Sequence, residues 1–319
     1  MRELTVGKLR GLAECSDRRG TFAMLALDHR NNLRKILRPE APAEVVDAEL
    51  TAFKREAVAE LAGAATAVLL DPEFGAAQCI SSGAMPGDRG LIVALEKTGY
   101  AGDSHARESR ILDGWSAAKI RRMGASAAKL LVYYHPAAST ARRIEELVRD
   151  VARECAREDL LLLLEPLVYN PDPGSGKLSP EARRRAIVET ARRLAGPGVD
   201  VLKAEFPAVS ADDAESRAAC EELSAASAAP WILLSASVDF ETFLRQTDVA
   251  CSAGAAGVAV GRAVWNEAAV LRGDERTAFL RGEAHRRMAA ASGCVAERGR
   301  PWSAIYSAPE VDTQWLSRY

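Results

Sequence analysis

The 319-residue sequence predicts a single-domain α/β protein folded as a (β/α)8 barrel, the TIM-barrel architecture. Three observations support this prediction. Eight short apolar runs recur at fairly even spacing, amphipathic segments with helical spacing separate most of them, and the runs are apolar throughout instead of alternating with polar residues. Continuous apolar strands are typical of parallel sheets that are covered on both faces.

Turn signals flank the eight predicted strands. In chain order the strands are Phe22–Leu27, Ala67–Leu70, Leu91–Leu95, Ala127–Tyr133, Leu160–Leu164, Val199–Ala204, Trp231–Leu234 and Gly257–Val260. They place the barrel at about residues 20–270 and leave a final helix and tail at 271–319. A doubly wound open sheet is the alternative, but Leu27-Asp28-His29-Arg30 after the first strand is unlike the Gly-rich phosphate loop of such folds.

Helical spacing is clear in several segments between the strands. Ala43–Leu61 gathers apolar residues on one face, with Lys54 among the residues expected to point outward, and Pro180–Leu194 behaves similarly. Ser179 is a favourable N-cap for the second of these helices. The Pro- and Gly-rich segment 170–177 is the longest clear break, and we expect it on the face of the barrel that carries the active site.

Composition argues against several partners and locations. The net charge is −2, and the arginine clusters alternate with acids on helical stretches, so solvated helix faces are predicted and a nucleic-acid surface is not. The N-terminus lacks a signal-peptide pattern, and no apolar stretch approaches membrane-spanning length. A cytoplasmic protein with no membrane partner is therefore expected.

No metal or cofactor site is predicted. The six cysteines lack a close pair and most are expected to be small buried hydrophobes, while none of the four histidines has close ligand spacing. Neither a nucleophile elbow nor a Walker loop occurs. Barrel enzymes often associate, so a homo-oligomer is a further prediction, although no sequence feature specifies an interface.

Lys203 is the strongest candidate for a catalytic residue. The chain uses 34 Arg but only 8 Lys, so a lysine inside the apolar run Val199–Phe206 needs a reason that arginine cannot satisfy. Nucleophilic chemistry is such a reason, because an amine can lose its proton and attack a carbonyl whereas a guanidinium stays protonated. A lone lysine in a strand is more often a salt-bridge partner than a nucleophile, so the residues near Lys203 must distinguish the two roles.

Two charged residues on nearby strands accompany Lys203. Lys129 lies in the apolar run Ala127–Tyr133, and Glu165 ends the leucine run 160–164. Side chains at the C-terminal ends of barrel strands point into one cavity, so we expect the three to meet. A neighbouring ammonium and partial desolvation both favour the neutral amine of Lys203. Two interpretations of Lys129 stay open: an active-site group, or an ion-pair partner of a barrel carboxylate.

Polar residues are predicted at the ends of all eight strands. Burying so many charges without partners would cost on the order of several kcal/mol each, so mutual pairing around a polar site is expected. Besides the three residues above, the set comprises Asp28, Asp71, Glu96, Glu205, Ser235, Gly261 and Arg262.

An anion site is predicted at the last two strands. Ser235 follows strand seven and Gly261-Arg262 follows strand eight, where barrels commonly hold a phosphate. Arg offers a bidentate fork, and Gly lets backbone N–H groups approach the oxyanion. We therefore predict a phosphate or a similar tetrahedral anion here, with a rim salt bridge as the alternative. Asp28 and His29, at the end of strand one, are predicted to contact substrate.

These residues lie in segments that resemble the tagatose 1,6-diphosphate aldolase family, to which the bacterial sulfofructosephosphate aldolases are also similar. The chain differs at His29, where family members often carry Gln, and at Ser237, where they often carry Gly. The matching segments run almost end to end and are specific only together: Leu25–Arg30, Leu95–Tyr100, Lys129–Tyr134, Leu164–Pro166, Val199–Glu205, Leu234–Ala236 and Gly261–Trp265.

The resemblance implies a metal-independent, Schiff-base aldolase that cleaves a phosphorylated ketose to dihydroxyacetone phosphate and an aldehyde. It assigns Lys203 as the imine-forming lysine, Glu165 as the proton-transferring carboxylate and Lys129 as the second active-site lysine. Ser235 with Gly261-Arg262 corresponds to the phosphate site. Two alternatives stay open: a related Schiff-base reaction on an inositol-derived or deoxysugar phosphate, and a non-catalytic metabolite sensor.

Overall fold

A computed structural model of the protein describes residues 1–208, 212–317 and 319. At its centre eight parallel strands close into a barrel, each hydrogen-bonded to its neighbours in chain order and the last to the first. The predicted (β/α)8 architecture is confirmed. The barrel strands are β1 (Phe22–Leu27), β2 (Ala67–Leu70), β3 (Gly90–Ala94), β4 (Ala127–Tyr134), β5 (Leu161–Val168), β6 (Val201–Ala204), β7 (Trp231–Leu234) and β8 (Gly257–Val260).

Helices cover the outside of the barrel, and at least one follows every strand. Short 3-10 turns (Pro42–Glu44, Ala62–Ala64, Trp302–Ala304, Trp315–Ser317) and a π-helical turn (Leu280–Ala284) connect or extend them. The helices are α1 (Val6–Cys15), α2 (Asn31–Leu37), α3 (Asp47–Leu61), α4 (Ala76–Ser81), α5 (Ala117–Arg122), α6 (Ala141–Arg157), α7 (Pro180–Leu194), α8 (Asp213–Ala226), α9 (Phe240–Ser252), α10 (Arg262–Val270), α11 (Gly273–Phe279) and α12 (His285–Arg298).

The predicted strands all occur, and the largest change of bounds is in β5. The prediction ended this strand before Pro166, whereas the structure continues it to Val168. The register of β5 with β6 covers only Leu163 and Leu164. The strand can therefore pass through Pro166 without needing its missing amide donor on that side.

The helix predictions hold in outline, with one error of orientation. Pro180–Leu194 is confirmed, and the Ser179 hydroxyl accepts from an amide of its first turn. The helix predicted from residue 43 begins at Asp47. The prediction that Lys54 points outward is wrong: it is fully buried and forms an ion pair with the equally buried Asp71. A carboxylate at the end of β2 attracts the ammonium inward, which the spacing within one helix does not reveal.

The N-terminal helix α1 covers the end of the barrel at which the strands begin. Leu12 packs into the apolar cluster that fills the barrel interior, together with Phe22 and Leu161. Lys8 donates to the buried carboxylate of Asp200 at 2.7 Å. The strands Arg2–Glu3 and Tyr306–Ser307 pair in parallel beside this helix. With this end covered, the opposite end of the barrel, where the strands finish, is the place for a cavity.

A hairpin between β3 and α5 was not predicted. Its strands, Ala101–Asp103 and Ala106–Glu108, are antiparallel. Strands of three residues carry too little apolar alternation to be recognised in the sequence. Gly102 adopts a φ of +81°, and a Cβ there would lie 2.8 Å from the carbonyl oxygen of Ala106. The first strand of the hairpin therefore requires glycine at this position.

Gly257, at the start of β8, is a position where we expect a methyl group to be strongly destabilising. Its φ is +148°, and a Cβ would lie 1.9 Å from the carbonyl oxygen of Phe22. Since Phe22 belongs to β1, neither backbone can move without opening the barrel. Gly257→Ala is expected to lower the free energy of unfolding by at least about 3 kcal/mol.

Gly63→Ala is the matched control, because a Cβ there meets no described atom within 4 Å. Its effect on the free energy of unfolding, measured by urea denaturation, should stay within about 0.5 kcal/mol. Equal stabilities for the two variants would contradict the close approach of β8 to β1.

Two expectations from composition can be compared with the structure. All six cysteines are free and five of them are buried, as expected of small hydrophobic residues. Within the described part of the chain, none of the helices combines the length and the apolar character needed to cross a membrane.

Candidate active site

The C-terminal ends of the barrel strands surround a cavity with two lobes. The large lobe has a volume of about 580 Å³ and extends towards α2 and the loop that follows β3. The small lobe has a volume of about 250 Å³ and lies at the ends of β7 and β8. Both lobes share the residues His29, Glu165, Leu167, Lys203 and Arg262.

Lys203 lies in β6 at the junction of the two lobes. It is 5% exposed, and its Nζ is 2.9 Å from Oε1 of Glu165 on the neighbouring strand β5. The residues beside it in β6, Leu202 and Ala204, are buried. The strand therefore holds one amine in an apolar wall, with a carboxylate within hydrogen-bond distance and a cavity in front of it.

Lys129, on β4, is surrounded by three carboxylates. Its Nζ is 2.7 Å from Asp28 Oδ2, 2.6 Å from Glu96 Oε1 and 3.0 Å from Glu165 Oε2. Burial by itself would favour the neutral amine, but the three carboxylates outweigh burial and hold the pKa of Lys129 well above its ordinary value. Lys129 is therefore a fixed ammonium, and both oxygens of Glu165 are engaged, one by each lysine.

Two carboxylates of this cluster, Asp28 and Glu165, are held in their ionised form. Burial opposes ionisation of Asp28 and Glu165, yet the ammonium groups of Lys129 and Lys203 lower the pKa of both carboxyl groups below their usual range. Glu96 accepts a further bond from the backbone N–H of Leu131 at 3.0 Å. Around Lys129 and Lys203 the cluster therefore consists of alternating charges, each with a partner of opposite sign.

The small lobe carries the residues predicted to hold an anion. Gly261 precedes the first residue of α10, and its N–H points to the Ser235 hydroxyl at 3.4 Å. Arg262 opens the helix half-buried, where burial lowers its pKa, and within the described residues its guanidinium forms no ion pair. Ala236 and Ser237, which follow Ser235, adopt φ of +43° and +65°. A cation without a carboxylate partner, beside a helix N-terminus, suits an anionic ligand.

His29 sits between the lobes as a neutral ring. It packs edge-on against Trp265 with ring centroids 5.2 Å apart. Its Nδ1 is buried and has no hydrogen-bond partner among the residues that the structure describes, since the Asp28 carboxylate is 3.9 Å away. Burial, which outweighs the nearby carboxylate, lowers the pKa of His29 to about 4. An uncharged imidazole therefore lines the cavity at neutral pH.

Two of the strand-end residues serve the scaffold. Asp71 pairs with Lys54 and accepts the backbone N–H groups of Glu73 and Phe74, so it shapes the loop after β2. Glu205 accepts from Arg183 at 2.7 Å and borders the small lobe. From the sequence, Asp71 and Glu205 were expected to pair with other strand-end residues. Their partners, Lys54 and Arg183, lie instead on helices outside the barrel.

Several residues around the cavity were not singled out in the sequence. Arg30 is buried and donates to Glu73 and to the carbonyl oxygen of Glu96, both at 2.6 Å. Its position in the sequence, directly after Asp28 and His29, was the signal that could have placed Arg30 near the cavity. Tyr100 and Tyr133 line the large lobe together with the loop after β3. Segment 170–177 lies between β5 and α7, on the expected face.

No group of three or more His, Cys, Asp and Glu side chains in residues 1–208, 212–317 and 319 is arranged to hold a metal ion. Metal-independent chemistry stays a prediction.

The fold and the cluster define the class of protein: a barrel enzyme of the aldolase type, with a buried lysine facing the cavity. More particularly, the chain belongs to the DeoC/LacD aldolase family, whose family model matches residues 22–267. The family resemblance drawn from the sequence motifs is confirmed, and the protein is an aldehyde-lyase by membership.

Relatives of known name support this assignment. The chain is 32% identical over 283 residues to tagatose 1,6-diphosphate aldolase of Lactococcus lactis subsp. lactis, covering 82% of this chain and 86% of the relative. It is 32% identical over 282 residues to the enzyme of the same name from Staphylococcus aureus strain JH9, covering 82% and 85%.

The fold also matches a solved structure of an archaeal fructose-1,6-bisphosphate aldolase, whose catalytic lysine is covalently bound to the carbinolamine intermediate. The TM-score is 0.55 at 19% identity, and the match covers 90% of this chain and 100% of the other. This likeness concerns the fold.

Proposed function

We propose that this protein is a class I aldolase that cleaves a phosphorylated ketose into dihydroxyacetone phosphate and an aldehyde through an imine on Lys203. The observation that carries the proposal is Glu165, whose two carboxylate oxygens contact Lys203 and Lys129 at 2.9 and 3.0 Å. One carboxylate can thus accept the proton of the nucleophile while a fixed ammonium keeps it in place. The related tagatose 1,6-diphosphate aldolases support the substrate class.

Imine formation requires three proton transfers, and Glu165 is placed for the first and the last of them. Lys203 gives one proton to Glu165 and attacks C2 of the ketose, and a proton moves from nitrogen to oxygen to form the carbinolamine. Glu165 returns its proton to the departing hydroxyl group, so water leaves and the protonated imine remains. The imine is the electron sink for the next step.

Carbon–carbon cleavage uses the same carboxylate. Glu165 takes the C4 hydroxyl proton as the C3–C4 bond breaks, the aldehyde leaves, and the bonding electrons move into the imine to give an enamine. Protonation at C3 and hydrolysis then release dihydroxyacetone phosphate and free Lys203. Positioned proton transfer of this kind contributes about 10²–10⁴-fold to the rate.

Lys129 acts as a permanent charge and not as a second nucleophile in this proposal. Bound by three carboxylates, its ammonium keeps its proton, as its raised pKa requires. It fixes the orientation of Glu165 and stabilises negative charge on the carbinolamine oxygen. Asp28, which shares this ammonium, and His29 contribute hydrogen bonds to the substrate hydroxyl groups.

The phosphate of the ketone half occupies the small lobe. Arg262 supplies a guanidinium that forms no ion pair with the described residues, and the Ser235 hydroxyl and the Gly261 N–H supply hydrogen-bond donors beside the N-terminus of α10. Binding there places C2 at Lys203, which lines the same lobe. The rest of the ketose then extends into the large lobe. We also infer a cytoplasmic location and a sugar phosphate as the partner; a homo-oligomer stays a prediction.

Borohydride trapping with dihydroxyacetone phosphate, followed by peptide mass spectrometry, tests this proposal. A reduced adduct on Lys203 is the expected result. An adduct on Lys129 would reverse the two lysine roles. Folded, EDTA-treated protein that gives no adduct would overturn the proposal and favour the sensor alternative or another carbonyl substrate.

A further inference from the structure

Arg107, on the hairpin between β3 and α5, is enclosed by aromatic rings. Its guanidinium carbon lies 4.6 Å from the ring centroid of Tyr100, 5.3 Å from that of Tyr133 and 4.8 Å from that of Tyr169. These three tyrosines are called the tyrosine cage below. In the described residues Arg107 forms no ion pair, so the ring faces compensate its charge.

The cage connects three separate elements at the mouth of the barrel. Tyr133 is the last residue but one of β4, Tyr169 follows β5, and Tyr100 lies in the loop after β3. Tyr169 is buried and its hydroxyl accepts the backbone N–H of Arg107 at 3.3 Å. Arg107 Nε also donates to the carbonyl oxygen of Ser104 at 2.9 Å. The arginine is therefore held on both its backbone and its side chain.

Two cage residues form part of the active-site wall. Tyr100 and Tyr133 line the large lobe, whereas neither lines the small lobe. Their rings meet edge-to-face with centroids 5.1 Å apart. Tyr100 is 42% exposed, so burial alone does not fix its ring. The guanidinium stacked against it provides the missing constraint.

We propose that Arg107 is a positioning residue that shapes the large lobe for the aldehyde half of the ketose, by holding Tyr100 and Tyr133 in place. This inference rests on the proposed function, which puts dihydroxyacetone phosphate in the small lobe and the remaining carbons in the large one. The tyrosine rings present an apolar face to the carbon chain of that half. Removing the guanidinium frees the exposed ring and weakens binding of this half alone.

Arg107→Gln tests the inference by separating the two halves of the substrate. The KM for cleavage of tagatose 1,6-bisphosphate is expected to rise ~10-fold, as is the KM for D-glyceraldehyde 3-phosphate in the condensation direction. The yield of borohydride-trapped dihydroxyacetone phosphate on Lys203 should equal that of the unchanged protein. Arg107→Lys, which keeps the charge but loses the planar stacking surface, should recover part of the KM.

Arg110→Gln is the matched control, since Arg110 is exposed on the same segment, pairs with Glu108 at 3.6 Å and, among the described residues, has no aromatic ring facing its guanidinium. Its KM values should be unchanged. An Arg107→Gln variant with unchanged KM, or with a trapping yield reduced as much as its ketose binding, would overturn the inference. If the unchanged protein traps no dihydroxyacetone phosphate, the proposed function fails. If it traps the adduct but Arg107→Gln weakens both halves of the substrate equally, only the inference about Arg107 fails.

Discussion

Replacing Lys203 by arginine is expected to abolish turnover while leaving the fold intact. Arginine retains the positive charge that pairs with Glu165, but its guanidinium stays protonated and cannot form an imine. Loss of a covalent nucleophile lowers kcat by at least about 10⁴-fold. Steady-state cleavage of tagatose 1,6-bisphosphate measures the effect, and the borohydride adduct should disappear with it.

The control for this substitution is Lys119→Arg. Lys119 is exposed on α5, is not among the residues that line either lobe of the cavity, and donates from its side chain to the carbonyl oxygen of Gly114. Its kcat and KM should match those of the unchanged protein. Retained turnover in Lys203→Arg, with an adduct on Lys129, would show that the imine forms on the other lysine.

Replacing Lys129 by methionine is expected to cause a large loss of stability. Its ammonium is the shared partner of Asp28, Glu96 and Glu165, and its side chain is 1% exposed. Without it the three carboxylates face one another, and the remaining cations are Lys203, 2.9 Å from Glu165, and Arg30, 4.0 Å from Glu96. Breaking a buried ion pair by removing one partner costs about 3–5 kcal/mol. Urea denaturation at pH 7 measures this loss.

The pH dependence of stability distinguishes this cause from a packing defect. In the unchanged protein the pKa values of Asp28 and Glu165 are lowered. These carboxylates contribute stability that is present above their unfolded pKa values of about 4 and is lost as the pH falls below them. In Lys129→Met the remaining buried carboxylates favour their protonated form, so their folded pKa values rise. The variant should therefore gain stability as the pH falls from 7 towards 5, whereas the unchanged protein should not.

Adding Glu96→Gln to Lys129→Met should restore part of the lost stability at pH 7. Glu96 makes the shortest of the three contacts with Lys129, and its removal reduces the repulsion that remains. A double variant no more stable than Lys129→Met, together with a flat pH profile, would assign the loss to the cavity left by the side chain. The charge cluster would then contribute little to the fold.

The scarcity of lysine was a partial guide to the chemistry. Four of the eight lysines are buried. Lys8 and Lys54 lie on helices and bond to the aspartates at 200 and 71, so they serve the scaffold. Lys129 and Lys203 lie inside strands at the cavity. The position of a lysine within a strand, and not the rarity of lysine alone, separated the active-site lysines from the scaffold lysines.

The sequence by itself determined the barrel, the order of its strands and the end at which the polar groups gather. These features follow from local patterns, because continuous apolar runs predict covered parallel strands and all strand ends of a barrel share one face. For that reason Lys203, Glu165 and Lys129 could be placed together without coordinates.

Only the tertiary structure decided how the charges pair. Asp71 forms an ion pair with a lysine on a helix, and Glu96 forms one with Lys129. The guanidinium of Arg107 packs against tyrosines from three different elements. An ion pair or a stacked ring depends on distances of a few ångströms between segments far apart in the chain. Those distances are set by strand register and helix packing, which act between elements and leave no trace in the residue pattern of any one of them.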